Sequence, residues 1–566
     1  MTTSSTRWSG ILFLIFLVVL AALVVVLQQP PPPVSAAAPS HRFSAVRAFE
    51  HVQVIAREPR PTGSPANAEA RAYLLATLSQ LGLSTGVQDA VVEGTRIQNV
   101  LARLEGRQPG DRAVMLVAHH DSVAVGPGAA DNAAAMAALL ETARALRAGP
   151  PPANDIIFLF TDGEEIGRQG AQAFVHEHPW ASDAGVLLNF DARGTSGPVY
   201  MFETSPQNGR LIQALARAAP RPTASSLMFE IYRLLPNVTD FDVFGPAGLQ
   251  GLNFAFIGGA SHYHTPRDTP ENLSLRSLQH QGSYALPLAR YFGQIDLDRP
   301  PEPDRVYFDL FGQLLVHYPE SWVWPLTVLA GLAYLLATIL GCKRRRVSVR
   351  GLAWGALGFL LMVLAVAGAV LLLWRLVLLV HPAYAGRAFL DNGAWYALAF
   401  VALTIALVAT FHEHLFKPTL ERWLRVPRER HMPSLALGAL LWWLALLVAG
   451  SHFVPGGSFL LLWPLLAALA WLAGSFLRAS CSRWTRADSL ALAAVPAPAV
   501  FMPFIHGLQA ALPVALRAVP LAVLAVMLGG LVPQVDFITR RTRWLVPALC
   551  LLAALVFLVI GWSSAA

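Results

Sequence analysis

The chain has 566 residues, of which 55% are hydrophobic, and its mean hydropathy is positive, which excludes an ordinary soluble protein. The net charge of +7 suggests nucleic-acid binding at first, but most of the excess Lys and Arg lies in short loops between apolar runs. We therefore attribute the charge to membrane topology and expect no nucleic-acid partner. The three cysteines, Cys342, Cys481 and Cys550, all lie in the apolar C-terminal half, so the remainder of the chain has no disulfide bond.

The N-terminal segment contains an uninterrupted apolar run over residues 11–27. The run nearly spans a bilayer, and a linker rich in Pro, Ala and Ser follows it. The small residues at 35–38 could serve a signal peptidase, but the run exceeds the usual length for a signal peptide, which favours an uncleaved anchor. We expect an N-terminal membrane anchor and linker over residues 1–40, and export of the domain that follows.

Residues 41–297 have the composition of a globular α/β domain. Apolar residues at helical spacing predict helices near 43–57, 67–81, 132–146 and 275–294. Short apolar runs predict strands over 98–104, 113–118, 155–161, 186–190 and 253–257. Because helices fall between the later strands, we expect a mainly parallel sheet sandwiched by helices.

The C-terminal part is a predicted helical membrane domain. A charged, proline-rich linker is expected at 298–321, and a transmembrane domain of about eight helices at 322–566. The spans are predicted at 322–341, 352–374, 394–412, 433–450, 458–477, 489–511, 515–533 and 544–562. Basic residues concentrate in alternate loops, which indicates that the globular domain and the C-terminus face away from the cytosol. An integral, multi-pass protein of the lipid bilayer is therefore predicted.

Side chains that bind metals follow the predicted strands. Active sites of open α/β sheets form at the carboxyl ends of strands, where several such side chains can converge. Zinc accepts His nitrogen and carboxylate oxygen, and two zinc ions can share a carboxylate. One set would be His119, Asp131 and Asp191, and the other Asp131, Glu165 and His264, with Asp131 as the bridge. Glu164 would then be free to act as a general base.

The motifs AHHDS, GPGAADN, FTDGEEIG, NFD and YHTPRDT stand in this order between Glu58 and Leu273. In them the chain resembles the di-zinc, aminopeptidase-like M28 family of metallopeptidases. The resemblance implies the zinc-dependent exopeptidase fold, two Zn²⁺ per chain, peptide substrates and the same ligand sets. It also implies that Glu164 is the general base, that Asp121 orients the ligand histidine, that Tyr263 stabilises the oxyanion, and that the bond from Asp131 to Asn132 is cis.

The order of an anchor, an exported peptidase domain and further spans is similar to that of endoplasmic-reticulum and vacuolar membrane members of the family. It implies a periplasmic domain in a bacterium or a lumenal one in a eukaryote. The leading interpretation is a membrane-bound exopeptidase, an aminopeptidase. The alternatives are a carboxypeptidase, an acyl transfer like that of the glutaminyl cyclases, which use a single zinc, and a non-catalytic membrane scaffold.

Other polar residues near these motifs receive structural interpretations. His120 and His262 neighbour ligand candidates, but we expect surface or supporting roles for them. Asp240 and Asp242 precede the last predicted strand, where capping of a helix is the default expectation.

Overall fold

The computed structural model describes residues 3–108, 112–235, 238–477 and 483–564, so that Cys481 lies outside the described residues. The chain forms two compact units. The membrane unit combines residues 1–27 with residues 321–566, and the globular unit is residues 28–320. The predicted fold class is confirmed in the α/β sheet with its helices, and the C-terminal part consists of apolar helices, as expected.

The chain begins with helix α1 (Thr3–Leu27), which belongs to the membrane unit, and the globular unit follows it. The helices of the globular unit are α2 (Ala45–Ile55), α3 (Pro65–Gln80), α4 (Ala135–Arg147), α5 (Gln169–Glu177), α6 (Gly209–Ala218), α7 (Ser226–Tyr232), α8 (Phe241–Phe244) and α9 (Leu275–Phe292). Its strands are β1 (Ser84–Val92), β2 (Thr95–Leu104), β3 (Ala113–His119), β4 (Asp155–Thr161), β5 (Ala184–Ala192), β6 (Ser196–Thr204), β7 (Gly251–Gly258), β8 (Arg305–Leu310) and β9 (Leu314–Pro319).

Seven strands form one sheet in the order β1-β2-β4-β3-β5-β7-β6. The four central strands, β4, β3, β5 and β7, are parallel, and the outer strands pair antiparallel. The carboxyl ends of the parallel strands therefore lie along one edge of the sheet. This edge carries the candidate site.

Helices cover both faces of the central strands, which explains why these strands are apolar throughout. Along β3, Val114, Leu116 and Ala118 join the core on the face that α4 and α9 cover. Met115 and Val117 point to the other face, where Phe174 of α5 packs with them. The parallel pairing of β3 with β4 and β5 then sets the position at which His119 leaves the sheet.

Two stretches that the sequence indicates as linkers make specific contacts in the globular unit. In the first, the carbonyl of Pro30 accepts hydrogen bonds from Arg276, and the amide of Val34 donates one to Gln279. In the second, β8 and β9 form an antiparallel hairpin, and the amide of Asp309 donates to the carbonyl of Ala224. Their Pro-rich and charged composition conceals these contacts, because the partners lie far away in the sequence.

In the described residues of the membrane unit, α1 is accompanied by eleven further α-helices. These are α10 (Val323–Lys343), α11 (Val349–Val380), α12 (Gly393–Thr410), α13 (Lys417–Arg422), α14 (His431–Phe453), α15 (Phe459–Leu477), α16 (Arg483–Ala494), α17 (Pro496–Ala511), α18 (Ala518–Gly530), α19 (Val532–Thr542) and α20 (Leu545–Ser563). Among the described residues, eight helical segments are long and apolar enough to cross a membrane, one of them near the N-terminus.

The predicted span at 515–533 is not a straight helix. Residues 514–530 and 532–542 bend by 81° at Leu531, so that they form either a broken span or a re-entrant loop. Pro533 follows the break and cannot continue the hydrogen-bond ladder of the preceding helix. Gly530 packs so closely that an added Cβ would lie 2.0 Å from the ring of Trp443.

Candidate metal centre

The carboxyl ends of four neighbouring parallel strands bring the candidate residues together. His119 is the last residue of β3, and Glu164 and Glu165 lie in the turn after β4. Asp191 lies near the end of β5, and His264 follows β7. Asp131 comes from the turn that enters α4, where the peptide bond to Asn132 is cis, as the resemblance implies.

The structure places the five ligand candidates in two groups that share Asp131. In the first group, donor atoms of His119, Asp131 and Asp191 all lie within 4.8 Å of one another. Donor atoms of Asp131, Glu165 and His264 meet the same limit in the second group. The described residues contain no other such group of His, Cys, Asp and Glu.

The two oxygens of Asp131 face different histidines. Oδ1 lies 3.0 Å from Nε2 of His119, and Oδ2 lies 3.1 Å from Nε2 of His264. The same nitrogen of His264 is 3.1 Å from Oε2 of Glu165, and the nitrogen of His119 is 3.7 Å from Oδ1 of Asp191. Asp131 is therefore oriented as a carboxylate that bridges two cations would be.

Buried charge makes this arrangement suitable for metal ions. Although burial disfavours the charged imidazole, three neighbouring carboxylates hold the pKa of His119 well above its ordinary value. Burial raises the pKa of Glu165, whose Oε1 is buried and has no hydrogen-bond partner among the described residues. Buried carboxylates need a compensating cation, and the set of imidazole and carboxylate donors fits zinc.

Asp121 supports the site from two directions. Its Oδ1 lies 3.3 Å from Nδ1 of His119, on the side of the ring away from Asp131. Its two oxygens also accept hydrogen bonds from the backbone amides of Glu164 and Glu165, at 3.2 and 3.1 Å. A carboxylate behind a metal-binding histidine fixes the orientation of the ring, and Asp121 in addition holds the turn that carries Glu164.

Glu164 and Tyr263 lie beside the two groups of donors. Burial raises the pKa of Glu164 well above its ordinary value, and the carboxylates of Asp191 and Asp131 raise it further. The ring of Tyr263 stacks on that of His264, with 3.8 Å between the centroids. Burial and the carboxylates of the site raise the pKa of the Tyr263 phenol, which therefore stays a hydrogen-bond donor.

The crevice is more open on the side of the second group. The side chain of His264 is 37% exposed, whereas that of His119 is only 3% exposed. His264 also has a positive φ of 54°, a strained conformation for a residue other than glycine. The second group of donors is therefore the more accessible of the two to solvent.

The neighbouring histidines take no part in either group. His120 is buried, and its ring contacts the carbonyl of Gln98 at 3.1 Å and the amide of Asn67 at 3.3 Å. His262 lies 3.1 Å from Oγ1 of Thr195. His120 is thus a core residue and does not belong to the surface.

The expectation of helix capping is wrong for Asp240, which makes no capping hydrogen bond with its side chain. Its Oδ2 accepts a short hydrogen bond from Thr161, and its Oδ1 is buried without a partner among the described residues. Burial raises the pKa of Asp240 to about 7. Asp242 does accept a local hydrogen bond, from the amide of Thr239 at 2.7 Å.

Sequence reasoning missed two further charged residues. Arg60 is fully buried below the turn between His119 and Asp131, and Asp268 accepts hydrogen bonds from the amides of Ala130 and Asp131. An Arg and an Asp in loops are ordinary in a sequence, and only the proline-rich RPTGSP and TPRDT contexts mark them as parts of tight turns.

Comparison with known proteins agrees with this geometry. Residues 99–289 match the model of Peptidase family M28. Endoplasmic reticulum metallopeptidase 1 of Mus musculus is 34% identical over 260 residues, which are 44% of this chain and 29% of that protein. Vacuolar membrane protease of Eremothecium gossypii is 28% identical over 320 residues, or 52% and 31% of the two chains. The chain thus covers less than a third of the length of either relative.

Among solved structures, the glutaminyl cyclase of Porphyromonas gingivalis aligns with a TM-score of 0.37 at 21% identity, over 44% of this chain and 98% of that one. A likeness at this level does not bear on the reaction. The match to the family model spans β2 to most of α9 and includes every ligand candidate. Over residues 99–289 the chain is therefore similar to Peptidase family M28.

Proposed function

We propose that the protein is a membrane-bound, zinc-dependent exopeptidase, an aminopeptidase, that hydrolyses peptide bonds in the crevice at the carboxyl ends of β3, β4, β5 and β7. Two zinc ions would be held by five side chains, with Glu164 as the general base and Tyr263 and Asp121 in supporting roles. The ligands are His119, Asp131, Glu165, Asp191 and His264.

The sharing of Asp131 by two groups of donors carries this proposal. One group alone would suit a single ion, but the two oxygens of Asp131 face histidines from opposite sides, at 3.0 and 3.1 Å. Five donors can serve two ions with three protein ligands each only if one carboxylate bridges them. A purely structural cluster of ion pairs does not require this symmetry.

Zinc ions bound there would supply Lewis acidity, which polarises the substrate carbonyl and makes a water molecule more acidic. Glu164 accepts a proton from the attacking water as the new C–O bond forms, and returns it to the amine as the C–N bond breaks. Burial raises the pKa of Glu164 above its ordinary value, which makes it a stronger base than an exposed glutamate. The Tyr263 hydroxyl donates a hydrogen bond to the oxyanion.

The acidic surroundings of the crevice support the choice of an aminopeptidase. Burial raises the pKa of the Tyr232 phenol, and the carboxylates of Glu203, Asp242, Asp191 and Glu164 raise it further. The phenol oxygen of Tyr232 is buried without a hydrogen-bond partner among the described residues. A wall of this kind complements an ammonium group at the substrate terminus better than a carboxylate.

The membrane unit supports an exported active site. Basic residues that follow α10 (Lys343 to Arg346) and end α19 (Arg540, Arg541) mark the cytoplasmic side of the predicted spans. We propose that the peptidase domain lies outside the cytoplasm, in the periplasm of a bacterium or in the lumen of a eukaryotic organelle. Modification of introduced cysteines by an impermeant reagent in intact cells or sealed vesicles would test this.

The decisive experiment compares purified full-length protein with Glu164→Gln, and with Glu105→Gln at an exposed position as a matched control. Zinc content is measured together with hydrolysis of aminoacyl reporters whose amine is free or blocked. We expect two zinc ions in all three proteins, and a loss of roughly 10²–10⁴-fold in activity only in Glu164→Gln.

Other outcomes would change the assignment. Cleavage of only those substrates that have a blocked amine and a free carboxylate would indicate a carboxypeptidase. One zinc ion per chain, with conversion of N-terminal glutamine to a cyclic product, would indicate an acyl transfer like that of glutaminyl cyclases. Absence of bound zinc from the wild type would refute the enzymatic proposal and leave a membrane scaffold.

A further inference from the structure

Arg60 is a charged residue in the globular unit with no surface exposure at all, and it lies outside both groups of donors. Burial lowers its pKa to about 10, so that it remains a cation, and four carboxylates near the candidate site oppose the shift. Burying a guanidinium is costly unless its donors are satisfied. Its contacts therefore indicate what it stabilises.

All three nitrogens of the guanidinium donate to main-chain carbonyls of one loop. Nε donates to the carbonyl of His120 at 2.9 Å, and Nη2 donates to that of Gly128 at 3.0 Å. Nη1 makes a short hydrogen bond to the carbonyl of Pro127. The backbone of Arg60 adds two contacts, because its amide donates to Oγ of Ser122 at 2.9 Å and its carbonyl accepts from the amide of Ser122 at 3.2 Å.

This loop joins His119 to Asp131 and has little freedom. Gly128 has a left-handed backbone with φ of +60°, and a Cβ there would lie 2.3 Å from the carbonyl oxygen of Asp131. A Cβ at Gly126 would lie 2.3 Å from the carbonyl oxygen of Thr265. The loop is thus packed tightly between Arg60 on one side and the turn that follows His264 on the other.

The turn after His264 holds the end of the same loop. The carboxylate of Asp268 accepts hydrogen bonds from the amides of Ala130 and Asp131, at 2.7 and 3.1 Å. The carbonyl of Asp268 accepts a further one from Ala129 at 3.1 Å. Residues 120–131 are therefore held by Arg60 from within and by Asp268 from the opposite side.

We infer that Arg60 is a positioning residue for the metal centre, which holds the loop of residues 120–128 so that Asp131 can present one oxygen to each group of donors. This inference rests on the proposed function, since it concerns the same zinc site. Arg60 does not contact either group itself and acts only through the main chain. A lysine could not replace it, because one ammonium cannot reach three carbonyls with the spread of a planar guanidinium.

The test uses the full-length protein in detergent and compares wild type with Arg60→Lys. Arg103→Lys is the matched control, because Arg103 is a second arginine of the globular unit, mostly buried, that binds the carboxylates of Asp155 and Asp183 at 2.6 and 2.8 Å. The first readout is zinc affinity by competition with a chelator. The second is the rise in unfolding temperature that zinc produces over the metal-free protein.

We expect Arg60→Lys to bind zinc roughly 10–100-fold more weakly than wild type, which is the usual effect of replacing a residue that supports a metal ligand. It should also lose most of the rise in unfolding temperature that zinc produces. Arg103→Lys should keep the wild-type zinc affinity and the zinc-induced rise in unfolding temperature, even if its unfolding temperature in the presence of chelator is lower. Because a purely structural role would lower both unfolding temperatures and leave zinc affinity unchanged, a folded Arg60→Lys with wild-type affinity would overturn the inference.

Two further results have a defined meaning. If Arg60→Lys does not fold, Ser122→Ala decides, because it removes the hydroxyl that the Arg60 amide contacts and leaves the guanidinium in place. A several-fold weaker zinc affinity in Ser122→Ala would support the inference, and an unchanged affinity would refute it. A wild type that binds no zinc would instead refute the proposed function, which these variants do not test.

Discussion

Oδ2 of Asp131 and Nε2 of His264 lie 3.1 Å apart, although 133 residues separate them in the chain. Asp131 belongs to both groups of donors, whereas His264 belongs to one. We therefore expect His264→Ala to retain about one of the two proposed zinc ions and Asp131→Ala to retain neither. Zinc per chain, determined by elemental analysis after dialysis against a weak chelator, checks this. Equal losses in the two variants would contradict a bridging role of Asp131.

The close contact between Gly126 and Thr265 predicts a steric effect on the site. An Ala at 126 would place its Cβ 2.3 Å from a backbone oxygen, which a shift of a side chain cannot relieve. We expect Gly126→Ala to lower the free energy of unfolding by roughly 1–3 kcal/mol and to weaken zinc binding, since the turn after His264 must move.

Gly86→Ala is the control for this substitution, because nothing lies within 4 Å of the added Cβ in β1. Its effect should stay within about 0.5 kcal/mol, with zinc binding unchanged. Thermal unfolding with and without zinc measures both quantities. If the two variants behaved alike, the packing of the loop against residue 265 would have no role in the site.

Asp309 predicts a pH dependence of stability in the globular unit. Burial raises its pKa to about 6, although Gln28 and the amide of Gly312 donate to its carboxylate at 2.8 and 3.0 Å. An acid whose pKa is higher in the folded than in the unfolded protein stabilises the folded state at low pH. This stabilisation is lost as the pH rises through the pKa of the folded state. The wild type should therefore lose on the order of 2–3 kcal/mol between about pH 4 and pH 7 relative to Asp309→Asn.

Chemical denaturation at several pH values measures this difference. Asp298→Asn is the control, because the Asp298 side chain is 71% exposed. If the free energies of unfolding of wild type and Asp309→Asn differed by the same amount at every pH in this range, the raised pKa of Asp309 would be contradicted.

A buried ion pair in the membrane unit should contribute more to stability than an exposed one. Nζ of Lys417 lies 2.8 Å from Oδ1 of Asp536, and both side chains are mostly buried at 15% and 9% exposure. Lys417 also pairs with Glu413, so Asp536→Asn leaves the ammonium with one of its two partners and should cost roughly 1–3 kcal/mol. Glu421→Gln, which breaks an exposed pair with Arg428, should cost less than about 1 kcal/mol.

Thermal unfolding in detergent compares these variants, and Lys417→Met combined with Asp536→Asn completes a double-mutant cycle. The double variant should be more stable than the sum of the single effects predicts. Additive effects would show that the two charges do not stabilise each other.

The central strands and most of the ligand candidates could be predicted from the sequence for the same physical reason. Strands buried on both faces are apolar without interruption, as in β3 and β4, and their carboxyl ends are then obvious positions for polar residues. His119, Glu165 and Asp191 could be placed at one edge in this way. Asp131 and His264 needed the motifs as well, because they lie in turns.

The features that the sequence concealed depend on partners that are distant in the chain. The outer strands β1 and β6 carry many polar residues and are recognisable only from the neighbours with which they pair. The break at Leu531 lies in an apolar stretch whose hydropathy is that of a straight span, and the contact between Gly530 and Trp443 cannot be inferred from composition. Arg60 is similarly inconspicuous, since its three acceptors are main-chain oxygens.

The chain order of the metal centre has a consequence for biosynthesis. The first group needs residues up to Asp191, but the second is incomplete until His264 is present, and the loop of Asp131 also requires Asp268. During synthesis, the peptidase domain must therefore emerge almost completely before the proposed centre can bind both ions. Because metal binding is coupled to folding, the compartment in which this domain folds would have to supply the proposed zinc ions.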